Sequence, residues 1–199
     1  MQETTAVGAQ SLLYDLKGQR TLDANFQYSY DSEGNLCLVQ DTLGNMVAEY
    51  THDAYGRRVK KVLFTNNVPS SSTEYAYDGW RMISEVYTDL NTLNQTIYEY
   101  IYSQEYIDEV IGVKIISTTG VTVYTYIRND HHNLIAVMNS AGSVIARFDY
   151  DEFGKPRAYN NGGTQIPIPT YTKHLFAGYY HDAETGLFQV RTRMYDPAL

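Results

Sequence analysis

Tyr30-Asp31-Ser32-Glu33-Gly34, Asp41-Thr42-Leu43-Gly44 and His52-Asp53-Ala54-Tyr55-Gly56 set three Asp-x-x-Gly steps 10 and 12 residues apart. An aspartate opening such a step accepts backbone N–H bonds from the residues just ahead of it. The glycine takes the left-handed conformation that a Cβ disfavours, closing a type I turn with a bulge. Each step therefore reads as a hairpin turn at Asp31/Gly34, Asp41/Gly44 and Asp53/Gly56. The spacing leaves strands of about six to eight residues, the usual strand length.

Outward from this stretch the same chemistry recurs. Tyr14-Asp15-Leu16-Lys17-Gly18 precedes it, and Tyr150-Asp151-Glu152-Phe153-Gly154 closes the series, giving turns at Asp15/Gly18 and Asp151/Gly154. Asn139-Ser140-Ala141-Gly142 stands 12 residues before Asp151, and Asn129-Asp130-His131-His132-Asn133 fills another turn slot. A unit copied along a chain builds a stack, so the sequence is read as architecture before any pocket is sought.

Between turns the residues alternate as strands do. Val121, Val123 and Ile127 fall on one face of 121–128, with Thr122, Tyr124, Tyr126 and Arg128 on the other. Tyr98, Tyr100 and Tyr102 line one side of 97–102, where they pack in the sheet wall or offer a sugar-stacking platform. No helix is expected. The segment around residues 106–116 holds Gly112 and a β-branched run and reads as strand. Turn chemistry thins at Pro69-Ser70-Ser71-Ser72, read as a loop, and at 160–170, where Asn160-Asn161-Gly162-Gly163 and two prolines read as a long mobile connection.

Composition narrows the function classes. Twenty tyrosines suit sheet surfaces whose rings keep a hydroxyl at the rim, and the net charge of −8 disfavours nucleic acid or an anionic membrane. A single cysteine, Cys37, excludes an internal disulfide framework and any paired-cysteine zinc site. No run approaches the roughly 18 to 20 apolar residues of a membrane span, and no leader pattern opens the chain. Each turn aspartate brings one carboxylate where calcium wants several oxygens, and His131-His132 reads as a turn or exposed pair, since adjacent residues of a strand would point to opposite faces and not grip one ion. The residues thus imply no metal, no cofactor and no free-standing catalytic site.

The Tyr-Asp-x-x-Gly series with Arg147-Phe148-Asp149-Tyr150-Asp151-Glu152-Phe153-Gly154-Lys155-Pro156 resembles the YD repeats of the Rhs (rearrangement hotspot) family. The ending is similar to its repeat-associated core: Phe176-Ala177-Gly178-Tyr179-Tyr180-His181-Asp182-Ala183-Glu184-Thr185-Gly186-Leu187, then Arg193-Met194-Tyr195-Asp196-Pro197. On this resemblance the core-motif residues are Gly178, Asp182, Glu184, Thr185, Gly186, Arg193, Tyr195, Asp196 and Pro197. It implies an all-β fold of antiparallel hairpins in a curved sheet, part of a hollow spiral β-shell around a toxic C-terminal domain. In toxin members the core holds an aspartyl autoprotease marked by two Asp-Pro-x-Gly motifs beyond the Tyr-Asp-Pro element. This sequence reaches Asp196-Pro197-Ala198-Leu199 without them, so no catalytic residue is expected in it.

The organisation expected is a flexible segment over 1–13, a YD-repeat sheet over 14–159, a Gly/Pro-rich loop over 160–170 and the start of the core over 171–199. The function expected is a non-catalytic shell segment of a larger secreted or cell-surface bacterial protein. Its partners would be flanking YD repeats, the enclosed toxin domain and, through open strand edges, a second copy. The alternative is a YD-repeat module that binds glycans or a partner protein.

Overall fold

The computed structural model describes residues 3–7, 10–105 and 109–199. Their regular structure is antiparallel strand, broken by one 3-10 turn at Phe176–Gly178. Tyr106, Ile107 and Asp108, where the 106–116 reading began, lie outside the described residues; Val110–Ser117 is strand.

The strands are β1 (Glu3–Val7), β2 (Gln10–Tyr14), β3 (Arg20–Leu22), β4 (Phe26–Tyr30), β5 (Leu36–Asp41), β6 (Met46–His52), β7 (Arg58–Thr65) and β8 (Val68–Asp78). They continue as β9 (Arg81–Asp89), β10 (Gln95–Tyr102), β11 (Val110–Ser117), β12 (Gly120–Arg128), β13 (Leu134–Met138), β14 (Val144–Tyr150), β15 (Pro156–Asn160) and β16 (Gln165–Ile166). Sixteen strands hydrogen-bond in chain order, so every neighbour in the sheet is a neighbour in sequence. Three short strands, β17 (Tyr180–Asp182), β18 (Leu187–Val190) and β19 (Arg193–Tyr195), form a second sheet.

The chain parts into two compact units: residues 1–74, 87–94 and 191–193, and residues 75–86, 95–190 and 194–199. In the first, Tyr28 faces Val39 and Val39 faces Ala48 across β4, β5 and β6, and all three are buried. Tyr50, Lys61 and Thr73 continue the buried face across β6, β7 and β8, and the Arg58 guanidinium lies 5.0 Å from the Tyr50 ring centre. On the alternate face Ser29, Leu38, Glu49 and Val62 stand opposite one another, the polar members exposed. This is the period-two signature of a sheet with one covered face.

The second unit buries Tyr98, Tyr100, Val113, Tyr126, Val137 and Ala146 on successive strands, along with Leu175, Tyr180 and Phe188 from the closing segment. Val121, Val123 and Ile127 are exposed on the opposite face of β12.

Three sequence expectations need correction. Residues 3–7 and 10–14 pair as β1 and β2, so the 1–13 stretch expected to be flexible is hairpin where it is described. It lacks an Asp-x-x-Gly turn but has the Thr, Val and Leu content that favours strands. The loop expected at Pro69–Ser72 is the start of β8; Pro69 sits opposite Phe64 where the register shifts, a place where a missing N–H is tolerated. In 160–170, Asn160 opens a hairpin turn and Gln165–Ile166 pairs with β15, so the long connection begins only after Ile166.

Candidate functional site

The turns share one hydrogen-bond pattern. Asp15 Oδ1 accepts the Lys17 and Gln19 amides at 2.8 and 2.9 Å, and the Gly18 amide donates to the Asp15 carbonyl at 3.1 Å. Asp41 repeats it at 2.9 and 2.8 Å, Asp53 at 2.9 and 3.0 Å, and Asp151 at 3.0 and 2.9 Å. Asp31 Oδ1 accepts the Asn35 amide at 2.8 Å. Gly18, Gly34, Gly44, Gly56 and Gly154 all have φ between +75° and +91°. The register shifts at Leu13/Tyr14, Ser29/Tyr30, Val39/Gln40 and Thr51/His52 show the bulge at the first four turns, whereas β14 and β15 keep one register up to the Asp151 turn. The Asn45 side chain and amide hold the Asp41 carboxyl below its ordinary range, and the Lys155 amide does the same to Asp151.

Asparagine does the same work elsewhere. Asn129, Asn139 and Asn160 each bond the amides two and four residues on, at 3.0 to 3.1 Å. The Asn129 turn places His132, not glycine, at φ 60°. Its partner His131 is exposed, while His132 Nδ1 lies 3.4 Å from Glu109 Oε1. Among the described residues no three His, Cys, Asp or Glu side chains gather to hold a metal.

Antiparallel order sends alternate turns to opposite edges of a sheet. In the first unit the Asp15, Asp31 and Asp53 turns share one edge and the Asp41 turn lies on the other. In the second, the Asn129 and Asp151 turns share an edge opposite those of Asn139 and Asn160. The tyrosine-led motifs of each unit thus fall on a single edge, and the true repeat is two strands long. Their hydroxyls stitch hairpin to hairpin: Tyr30 donates to the Arg20 carbonyl at 3.0 Å and Tyr150 to that of Leu134 at 2.8 Å.

Three glycines on the motif edges meet a neighbouring side chain, whereas Gly18 on the same edge has nothing within 4 Å. A Cβ on Gly34 would stand 2.7 Å from Gln19 Nε2, which donates to the Gly34 carbonyl at 3.2 Å. One on Gly56 would stand 3.1 Å from Asn35 Oδ1 and from a Thr192 methyl. Gln19 and Asn35 each lie four residues after a turn aspartate, so one turn's side chain seats on the next turn's glycine. One on Gly154 would meet the Phe176 ring at 2.5 Å. On the opposite edges Gly44, Gly142 and Gly163 have nothing within 4 Å.

The closing segment locks onto the second unit through buried polar groups. Arg128 donates from Nε to the Val110 carbonyl at 2.6 Å, from Nη1 to those of His132 and Leu175 at 2.7 and 3.3 Å, and from Nη2 to that of His174 at 3.0 Å. The fully buried Glu85 pairs with Lys173 and accepts the Tyr180 hydroxyl at 2.6 Å. Lys173 Nζ lies 3.9 Å from the Tyr98 ring centre, and the His174 ring packs edge-on against Tyr100 at 4.4 Å. Of the tyrosines weighed as a sugar platform, Tyr98 and Tyr100 are therefore covered wall residues, and Tyr102 is half-buried with its hydroxyl donating to the Met82 carbonyl at 3.0 Å. Burial drives the His174 pKa down to about 3, with the Arg128 and Lys173 charges acting in the same direction.

The core-motif residues spread over this segment. Gly178, at φ 77°, is buried in the 3-10 turn, and Asp182 is fully buried with its carbonyl accepting the Thr185 and Gly186 amides at 3.2 and 2.8 Å. Glu184 sits half-buried in that turn and Gly186 has φ 75°. Tyr195 donates to the Phe153 carbonyl at 2.6 Å and stacks on Phe176. Arg193 is exposed, Asp196 Oδ1 accepts the Ala198 amide at 2.8 Å, and Pro197 is buried. The motif therefore builds turns and aromatic packing, not one converging cluster.

Two working groups escaped sequence reading. Asn160 carries the same Asn-x-x-Gly signature as Asn139 and could have been found. Glu85 gave no local signal, since its partners lie 88 and 95 residues away.

The Teneurin YD-shell family model matches residues 1–199. The chain belongs to this Rhs/YD-repeat family. The YD-shell chain is 31% identical over 198 residues to the tRNA nuclease WapA of Bacillus subtilis, covering 99% of itself and 8% of that protein. It is 25% identical over 191 residues to the double-stranded DNA deaminase toxin A of Burkholderia cenocepacia, covering 86% of itself and 13% of that protein. In the crystal structure of TcdB2-TccC3-Cdc42, a chain at 14% identity superposes with a TM-score of 0.72, covering 98% of this chain and 10% of that one. The YD-shell fold is shared, and the chain spans about a tenth of each of these relatives.

Proposed function

We propose that this chain is a non-catalytic wall segment of a YD shell in a larger secreted or cell-surface toxin, with 14–159 as wall and 171–199 as the start of the closing core. The shell encloses a toxic C-terminal domain and leads into the core autoprotease. One observation carries the reading. The segment is held in common by a protein named as a tRNA nuclease and one named as a DNA deaminase, while spanning 8% and 13% of their lengths. Two unrelated reactions that share this stretch do not draw their chemistry from it. What they share is hairpins, stitched tyrosines and a locked closing segment.

The physical logic is sequestration. A wall of hairpins paired in chain order leaves its strands hydrogen-bonded on both sides except at its ends, which limits pairing with foreign chains. The test uses the whole gene product containing this chain. Limited proteolysis followed by mass spectrometry reads whether a domain C-terminal to it is protected. Survival of that domain while the same domain expressed alone is degraded supports enclosure. Equal degradation rates, or the absence of any such domain, overturn it.

A further inference from the structure

Glu85, on β9, is a carboxylate with no exposed surface, and Lys173, near the start of the closing segment, meets its Oε1 with 19% of its own side chain exposed. Lys173 Nζ lies 3.9 Å from the Tyr98 ring centre, and the Tyr180 hydroxyl donates to the other carboxylate oxygen, Oε2, at 2.6 Å. The Glu85 charge also acts on the buried Tyr100 and Tyr126 hydroxyls, so aromatic side chains surround the pair. An amine, a carboxyl carbon and a hydrogen-bond donor thus share one largely water-excluded spot. Lys114 and Glu99 form the same kind of ion pair at 2.8 Å, but their side chains are 41% and 47% exposed.

We propose that Lys173 and Glu85 condense to an intramolecular amide that ties the closing segment covalently to β9. A proton first passes from Nζ to Oε1 inside the contact, giving amine and carboxylic acid with no charge entering or leaving. A site closed to water disfavours separated charges, which promotes this neutral pair. Nζ then attacks Cδ. The Nζ–Cδ bond forms, the Cδ–Oε1 bond breaks, and Oε1 leaves as water with the proton it holds and a second from Nζ; nothing is oxidised or reduced. The Tyr180 hydroxyl stands where negative charge gathers on Oε2 and stabilises the tetrahedral intermediate. Groups held in contact reach an effective molarity of about 10⁵–10⁸ M, an advantage that a hydrated, exposed pair such as Lys114 and Glu99 does not keep. The bond joins residues 88 apart in sequence, so the closing segment stays attached to the wall when its hydrogen bonds fail.

Intact-mass spectrometry of the folded chain, denatured just before ionisation, separates an amide from an ion pair. The expected mass is lower than the sequence mass by about 18 Da, one water. Trypsin should leave Lys173 uncut and yield peptide 82–114 joined to 158–191, while cleavage after Lys114 stays complete. Lys173→Met should carry its full sequence mass. Tyr180→Phe, diluted from urea and compared with the natural chain at equal folded fraction, should link at least about tenfold more slowly. An unshifted mass overturns the proposal and leaves Glu85 and Lys173 an ion pair. A water loss that maps to any other residue overturns it too, and the peptide map of the natural chain decides this even where a variant fails to fold. Linking of Tyr180→Phe at the natural rate overturns the part given to Tyr180. Enclosure of a domain plays no role in this chemistry, so its outcome is independent of the proteolysis test.

Discussion

Gly154→Ala and Gly142→Ala are matched in backbone and opposed in surroundings, so together they test whether the motif edge is a stacked edge. Both glycines hold positive φ, +88° and +77°. Alanine in that region costs about 1–2 kcal/mol at either site from the Cβ clash with the backbone alone. At Gly142 nothing else is met within 4 Å. At Gly154 the new methyl meets three Phe176 ring atoms at 2.5, 2.6 and 2.7 Å, closer than any real carbon contact. The ring cannot swing freely, because it packs on Tyr150 at 5.7 Å, Phe188 at 6.3 Å and Tyr195 at 6.4 Å. Overpacking adds about 1–3 kcal/mol and each disturbed ring pair about 0.5–1.5 kcal/mol. Gly154→Ala should therefore lose about 3–5 kcal/mol and Gly142→Ala about 1–2 kcal/mol. Urea denaturation followed by tyrosine fluorescence measures both. Phe176→Leu in the Gly154→Ala background should recover part of the loss by vacating the space. Losses equal to within about 0.5 kcal/mol would show that Phe176 does not seat on the last turn and would refute the stacked edge.

Three further outcomes follow from the closing segment and the stitches. His174, with its pKa lowered to about 3 in the fold, contributes stability that is full above its ordinary 6.5 and lost as pH falls toward 3. Between pH 7 and pH 5 denaturation should lose about 2 kcal/mol that His174→Phe does not lose. Glu85→Gln strands the Lys173 charge in a half-buried site and should cost about 3 kcal/mol, part of which Lys173→Met restores in a double-mutant cycle. Tyr150→Phe removes a hydroxyl bond to the Leu134 carbonyl and should cost about 1 kcal/mol in thermal or urea melts, whereas Tyr159→Phe, whose hydroxyl bond to Asp149 is exposed, should change stability by less than about 0.5 kcal/mol.

The Asp and Asn turns were legible because every bond that makes them lies within four residues. Asp41 bonds Leu43 and Asn45, and its glycine stands between them. Asn160 has the same chemistry, but the glycines and prolines after it drew the reading toward a mobile connection. Pro69 misled in the other direction: a proline normally stops a strand, and only the register shift opposite Phe64 shows how β8 runs through it.

Sequence alone determined the hairpins, the all-β class and the family, since turn chemistry and period-two alternation are local and repeat along the chain. Only tertiary structure decided which turns share an edge, because that depends on how each strand pairs. It also decided which glycines carry a neighbour's side chain and which buried charges close the second unit. Gln19 meets Gly34 across 15 residues, Arg128 meets Leu175 across 47, and Lys173 meets Glu85 across 88. Contacts of that separation leave no pattern in a local window; each exists because strand pairing or the closing segment brings distant backbone into register.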